Sequence, residues 1–260
     1  VALPRLHTFF YQQQVFTFEE ARRKLKLSAS SLYKMLHELL RDGYILRIKK
    51  TVYAVVPVEA AGRAHTPNKY LVAAKLQKKS YLSYHTALEL HGVAESAYNT
   101  VYVSVPWQAR SFQFQGTTYF FVTKYDSFGL TKVKVEGIPL MVSDREKTIL
   151  DGIDRLKYVG GLEEYLKSVS SFPSIDVSRL IRYLKLSNKK ALYAKAGWLL
   201  SLFSKQWFVK QVLLDDLQKH LSNRTFYLQE TNGRVSFRFN STWNLMVPEN
   251  VEGLIEETPA

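Results

Sequence analysis

The strongest constraint on the fold is an apolar stripe that ends abruptly and is followed by two β-rich runs. Leu32, Met35, Leu36, Leu39 and Leu40 recur at i, i+3, i+4, i+7 and i+8, the spacing that puts side chains on one face of a helix. Asp42-Gly43 stops that helix near Arg41. Tyr44–Ile48 and Thr51–Val56 then read as strands joined at Lys49-Lys50. Upstream, Leu3, Leu6, Phe9 and Phe10 predict a helix over 3–13, and Val15-Phe16 a short extended piece. Thr17 is placed to cap a second helix, with Glu19 and Glu20 in its first turn and Arg22, Arg23, Lys24 and Lys26 later, the order the helix dipole favours. Leu27–Ser31 is a turn with several potential caps before the third helix. Three helices followed by a short basic-tipped hairpin is the order of a winged helix-turn-helix, spanning residues 1–60.

That order points to double-stranded DNA, because the third helix of such a domain enters the major groove. At 100° per residue Ser30, Lys34, His37 and Arg41 fall opposite the apolar stripe, and all can donate to bases or phosphates. Ser31 stands beside them at the start of the helix. Tyr33 lies at the border, positioned either to touch DNA or to pack against the wing. Arg47, Lys49 and Lys50 place cations where a wing would meet the phosphate backbone. The competing account is an ordinary solvated helix face plus an edge-strand charge pair, which does not explain the order of elements or the basic residues at both contact points. The chain carries 36 Lys+Arg against 23 Asp+Glu, a net charge of +13. Residues 1–66 hold 11 basic and 5 acidic residues, a denser excess than residues 67–170 or 171–260 carry. Such a surface raises the local concentration of polyanions.

Residues 57–68 read as a linker into a mixed α+β body. Helices are expected at Tyr70–Gln77 and Ser83–His91, the second capped by Ser83. A strand is expected at Thr100–Pro106, with hairpins at 112–123 and 132–142. Helices then dominate at 143–154, 162–168, 178–184, 189–203 and 206–221. A final hairpin is expected from Phe226–Glu230, Asn232-Gly233 and Val235–Asn240. The expected class is therefore α+β: a winged helix-turn-helix (1–60), a middle α+β domain (61–170) and a helical C-terminal region (171–260) ending in a hairpin. Residues 171–248 hold 12 basic and 4 acidic residues, a second basic region.

The absence of cysteine excludes a disulfide scaffold, a thiol nucleophile and cysteine-ligated zinc or iron–sulfur. The longest apolar run, near Ala196–Ser204, falls short of the ~20 residues a membrane helix needs. Gln12–Gln14 interrupt any leader-like stretch, so a cytoplasmic protein without a membrane segment is expected. No phosphate-binding loop, dinucleotide glycine fingerprint, HExxH or GxSxG occurs, and neither enzymatic activity nor a cofactor is expected. His85 and His91 are six apart and do not share a helical face. The carboxylates Asp144, Glu146, Asp151 and Asp154 admit an alternative: Asp144, Asp151 and Lys147 share a face and suit a metal-dependent nuclease. A structural account covers the same residues, with Ser143 and Glu146 as a capping box and Lys147 bonding the two aspartates along the helix. A third class is a protein-interaction module that never touches DNA.

Ser143-Asp-Arg-Glu-Lys-Thr-Ile-Leu-Asp151, Asp154-Arg155 and Gly160-Gly161-Leu162-Glu163-Glu164 together resemble the pattern of AbiEi-type antitoxins, transcriptional regulators associated with viral defence. Tyr81–Gly92 is similar to the stretch that follows the linker in that family, and Thr242–Pro248 to its C-terminal strand. Leu156 stands where the family pattern has proline. The resemblance implies an N-terminal winged helix that binds inverted repeats in its own promoter. It also implies a body that counteracts a nucleotidyltransferase-like toxin without a stable complex.

Overall fold

The computed structural model describes residue 6 and residues 10–231, 235–251 and 253–256. It is a mixed α+β fold with three sheets among the described residues. The chain divides into two compact units that are discontinuous in sequence. Unit 1 takes residues 1–82, 99–125 and 132–141; unit 2 takes 83–98, 126–131 and 142–260. The units therefore cut across the expected middle segment 61–170.

Unit 1 opens with strand β1 (Val15–Thr17), helix α1 (Phe18–Leu25), helix α2 (Ala29–Arg41) and the hairpin β2 (Ile45–Lys49) and β3 (Val52–Val55). The expected helix over 3–13 lies partly outside the described residues. Within it Tyr11–Gln13 forms a 3-10 turn, and Leu6 and Phe10 are buried. Thr17 caps α1 as its sequence position implies: its hydroxyl accepts from the Glu20 amide, and the Glu20 carboxylate accepts from the Thr17 amide. Lys26 ends α1 in the left-handed conformation. Ser28 caps α2 by accepting from the Ser31 amide. Strand β3 lies between β1 and β2 and is antiparallel to both, with Val15 opposite Ala54 and Leu46 opposite Ala54 on the other side.

The stripe closes on a core that includes Leu32, Leu36 and Leu39 with Phe16, Phe18, Ile45 and Val55, and Met35 and Leu40 pack at its edge. Phe10, Phe16 and Tyr53 stack in series at 4.5 and 5.6 Å. Burying each such leucine contributes about 1.5–3 kcal/mol, so this contiguous face holds α2 against the sheet. Gly43 follows α2 at φ 74°, and a Cβ there would sit 2.6 Å from the Gly62 nitrogen. The chain can turn at this point and pass that close only with glycine.

Helix α3 (Lys69–Leu76) is capped by Asn68. The larger sheet lies mostly in unit 1 and has six strands: β4 (Tyr81–Leu82), β5 (Thr100–Val105), β6 (Phe112–Phe114), β7 (Thr117–Thr123), β8 (Leu130–Val135) and β9 (Ile138–Ser143). Their order is β6-β7-β5-β4-β9-β8, with β5 and β7 parallel and β6 and β7 antiparallel. Gln115-Gly116 and Glu136-Gly137 all have positive φ, the backbone of two-residue hairpin turns that match strand twist.

Unit 2 holds α4 (His85–Leu90), α5 (Arg145–Asp154), α6 (Leu162–Ser170), α7 (Val177–Ser187), α8 (Lys190–Leu202), α9 (Gln211–Gln218) and α10 (Gly253–Glu256), with strands β10 (Phe226–Tyr227), β11 (Phe237–Asn240) and β12 (Leu245–Pro248). The structure departs from the sequence pattern at four places in this unit. Ser83 does not cap α4, which starts after Tyr84 at φ 55° with no side-chain cap. Ser143 is not the cap of α5; it ends β9, its hydroxyl bonds Thr148, and Asp144 accepts from the Lys147 amide instead. One helix over 206–221 is replaced by a turn through Phe208 at φ 52° and the shorter α9. The terminal hairpin does not form: β10 and β11 both pair with β12, which lies between them, parallel to the first and antiparallel to the second. The expected turn at Asn232-Gly233 falls outside the described residues. Among the described residues no helix is long and apolar enough to cross a membrane.

Candidate nucleic-acid interface

Burying one face of α2 fixes where the other points. Leu32, Leu36 and Leu39 are buried, while Ser30, Ser31, Lys34, His37 and Arg41 are exposed. These five of the six candidate residues on this helix thus share the solvent side, as the periodicity implies. They are not equivalent. The Ser30 and Ser31 hydroxyls lie 3.0 and 2.9 Å from the Ser28 hydroxyl, so both belong to the capping cluster as well as to the surface. Arg41 bonds the adjacent Asp42 at 2.9 Å, and this hydrogen bond and charge raise the arginine pKa. Among the described residues Lys34 meets no carboxylate.

Tyr33 stays at the surface while packing on the neighbouring helix. It is 54% exposed, and its ring packs on Phe18 of α1 at 4.6 Å. It is also near the hairpin: burial raises the Tyr53 pKa, Tyr33 adds to the rise and Arg47 opposes it. Arg47, Lys49 and Lys50 are exposed along β2 and its turn. The register of β2 against β3 shifts between Arg47 and Lys49, an irregularity of the kind that re-aims a side chain at a strand end. Lys49 Nζ sits 5.5 Å from the Phe112 ring centre, a cation–π contact that sequence spacing does not disclose. Lys50 keeps its ammonium free of carboxylates among the described residues, and its carbonyl accepts from the Tyr53 hydroxyl.

The residues of the nuclease alternative lie in unit 2 and are engaged otherwise. Lys147 is 2% exposed and bonds Asp126 at 2.7 Å and Asp151 at 2.9 Å, with its ammonium 5.1 Å from the Phe128 ring centre. Asp144 caps α5 and accepts from the Tyr183 hydroxyl at 2.8 Å. Burial and this bond push the Tyr183 pKa up to about 12. Glu146 accepts from the Asp176 amide and pairs with Arg179. Asp154 pairs with Lys189 at 2.7 Å. Among the described residues no three His, Cys, Asp or Glu side chains are grouped to hold a metal.

A second buried set was not visible in the sequence. His85 is fully buried, stacks on Tyr98 at 3.9 Å, and places Nε2 3.1 Å from Glu164 and Nδ1 3.8 Å from Glu89. Burial raises the Glu164 pKa, but hydrogen bonds from the Ser96 hydroxyl and amide and the His85 ring outweigh it and leave a net lowering.

No family model and no curated protein matches the sequence. The fold is similar to the crystal structure of the RV2827C protein from Mycobacterium tuberculosis, at a TM-score of 0.60 and 15% identity, over 96% of this chain and 92% of that one. The likeness supports the mixed α+β fold along nearly the whole chain.

Proposed function

We propose that the protein is a DNA-binding transcriptional repressor of the AbiEi-like antitoxin kind, acting in the cytoplasm and without an enzymatic step of its own. Residues 1–60 act as the winged helix-turn-helix, α2 as the helix that enters the major groove, and the β2–β3 turn as the wing. The observation that carries this reading is the division of α2, which keeps its leucines inside and Ser30, Lys34, His37 and Arg41 together outside. Arg47, Lys49 and Lys50 extend the same basic character onto the hairpin. Phosphate contacts would position the domain, and base-edge contacts from α2 would give it sequence preference.

The test is binding of the purified protein to the duplex upstream of its own coding sequence and to a shuffled duplex, at several salt concentrations. Roughly five to eight phosphate contacts give a log affinity against log salt slope of about −4 to −7. Specific, salt-steep binding is expected; equal weak binding to both duplexes overturns the reading. The antitoxin part rests on the resemblance carried by Ser143–Asp151 and Gly160–Glu164. It predicts that co-expression relieves the growth arrest caused by a nucleotidyltransferase-like protein encoded beside it.

A further inference from the structure

A cavity of about 360 Å³ opens in unit 2 beside the end of α5 and the start of α6. Arg155, Lys157 and Lys195 line it, with Gly161 and Leu228. Arg155 is half-buried and, among the described residues, meets no carboxylate at ion-pair distance. Lys195 is also half-buried, and its ammonium contacts the Ile153 carbonyl at a long 3.5 Å. Desolvation pushes the Lys195 pKa down; Asp154 and Glu230 pull it back up and Lys189 adds to the fall. Both acids line the same cavity. Asp154 is already held by Lys189 at 2.7 Å, and Glu230 is exposed. Two partly desolvated cations therefore share a concave wall without a directly bonded carboxylate. That arrangement costs free energy when empty and is relieved by an entering anion.

The remaining walls limit the size and kind of anion. Gly160 and Gly161 have φ of 82° and 93°. A Cβ on Gly160 would lie 2.4 Å from the Tyr98 hydroxyl, whereas one on Gly161 would meet nothing within 4 Å. The backbone at Gly161 is thus open to close approach. Leu156, mostly buried, and the half-buried Tyr158 line the wall beside the cations, with Leu228 fully buried behind it. The volume lies at the lower end of small-molecule sites and exceeds what an inorganic ion needs.

We propose that this cavity binds a phosphomonoester of mononucleotide size, its phosphate facing Arg155 and Lys195 and its base or sugar against Leu156 and Tyr158. The site uses no residue of α2 and does not rest on the DNA-binding proposal. The ligand is either a free mononucleotide or the 5′-phosphorylated end of a strand.

Calorimetric titration of the full chain with the four 5′-monophosphates, the matching nucleosides and inorganic phosphate tests this. Saturable binding of at least one monophosphate is expected, with a raised Tm, and none of the nucleoside. Arg155→Gln and Lys195→Met should each weaken it tenfold or more, with Lys34→Ala unchanged. Since Lys195 is half-buried, the unliganded melting curve of each variant is compared with the parent, and exposed Lys157→Ala is expected to give a few-fold loss without a folding effect. A 5′-phosphorylated oligonucleotide that binds more tightly than the monophosphate assigns the strand end; equal or weaker binding assigns the free nucleotide. No saturable binding at millimolar monophosphate, or affinity unchanged in Arg155→Gln, overturns the proposal.

Discussion

Helices α2 and α5 both carry lysine, arginine and carboxylates, and they place them in opposite environments. On α2 the ionisable side chains face solvent, and Lys34 is without a carboxylate partner among the described residues. On α5 Glu146, Lys147 and Asp151 are buried and bonded to residues outside the helix as well as within it. Residue type alone suggested chemistry in both places. Environment separates them: a solvated, unpaired cation is available to an incoming polyanion, whereas a buried, bonded one already holds two elements of the fold together.

The largest effect that sharpens this contrast is expected on α5. Lys147→Met leaves Asp151, itself 2% exposed, without its cation. Breaking a buried pair from one side typically costs about 3–5 kcal/mol. Denaturant unfolding should show a loss of that order, while the folded fraction still binds DNA. A loss under about 1 kcal/mol would mean that this charge network is no more structural than a surface pair.

The second effect is expected on α2 and its hairpin and reverses the readouts. Lys34→Ala with Lys49→Ala and Lys50→Ala should leave the melting midpoint near that of the parent. Removing one lysine–phosphate interaction should flatten the salt slope by about 0.9, and the three substitutions together should weaken binding on the order of a hundredfold. Lys49 tests the finer geometry, because its ammonium also rests on Phe112. If Phe112→Leu lowers affinity with no change in stability, that ring positions the wing lysine.

The legible parts of the fold were those in which one local rule acts alone. The α2 stripe, the Thr17 cap and the two X-Gly hairpin turns follow from spacing and from backbone preferences a few residues long. The errors arose where a distant partner decides. Ser143 looks like a cap, but strand β9 claims its backbone, so the helix starts one residue later on Asp144. Phe226–Tyr227 and Phe237–Asn240 look like two arms of a hairpin, yet Leu245–Pro248 outcompetes that pairing by offering both its edges. The candidate interface was readable because exposure follows directly from amphipathicity. The unit 2 cavity was not, since Arg155 and Lys195 are forty residues apart and only the packing of α5 and α8 brings them to one wall.

A third, smaller effect lies within unit 1 and mixes the two behaviours. Glu20 is part of the α1 capping box and pairs with Lys75. Burial alone would raise its pKa, but the Lys75 and Thr17 bonds outweigh burial and lower it. A carboxyl with a folded pKa below its ordinary 4.5 contributes stability that is complete above that value and is lost as pH falls through the lowered one. Glu20→Ala should therefore cost about 1 kcal/mol at neutral pH, and the difference from the parent should shrink below pH 4.5. A constant difference across that range would assign the loss to helix propensity instead of the charged cap.

The smallest effect tests the one cation of α2 that is already paired. Arg41 and Asp42 are both exposed, so their contact is screened by salt and adds little to the fold. Its consequence falls on the surface, because the carboxylate beside the guanidinium repels phosphate. Asp42→Asn should tighten DNA binding about two- to threefold at low salt, and the gain should vanish at high salt. Arg41→Gln should move affinity the other way by a smaller factor than Lys34→Ala. If neither substitution changes affinity at any salt concentration, the bound duplex reaches Lys34 but ends short of the last turn of α2, and the interface moves toward Ser30 and the hairpin.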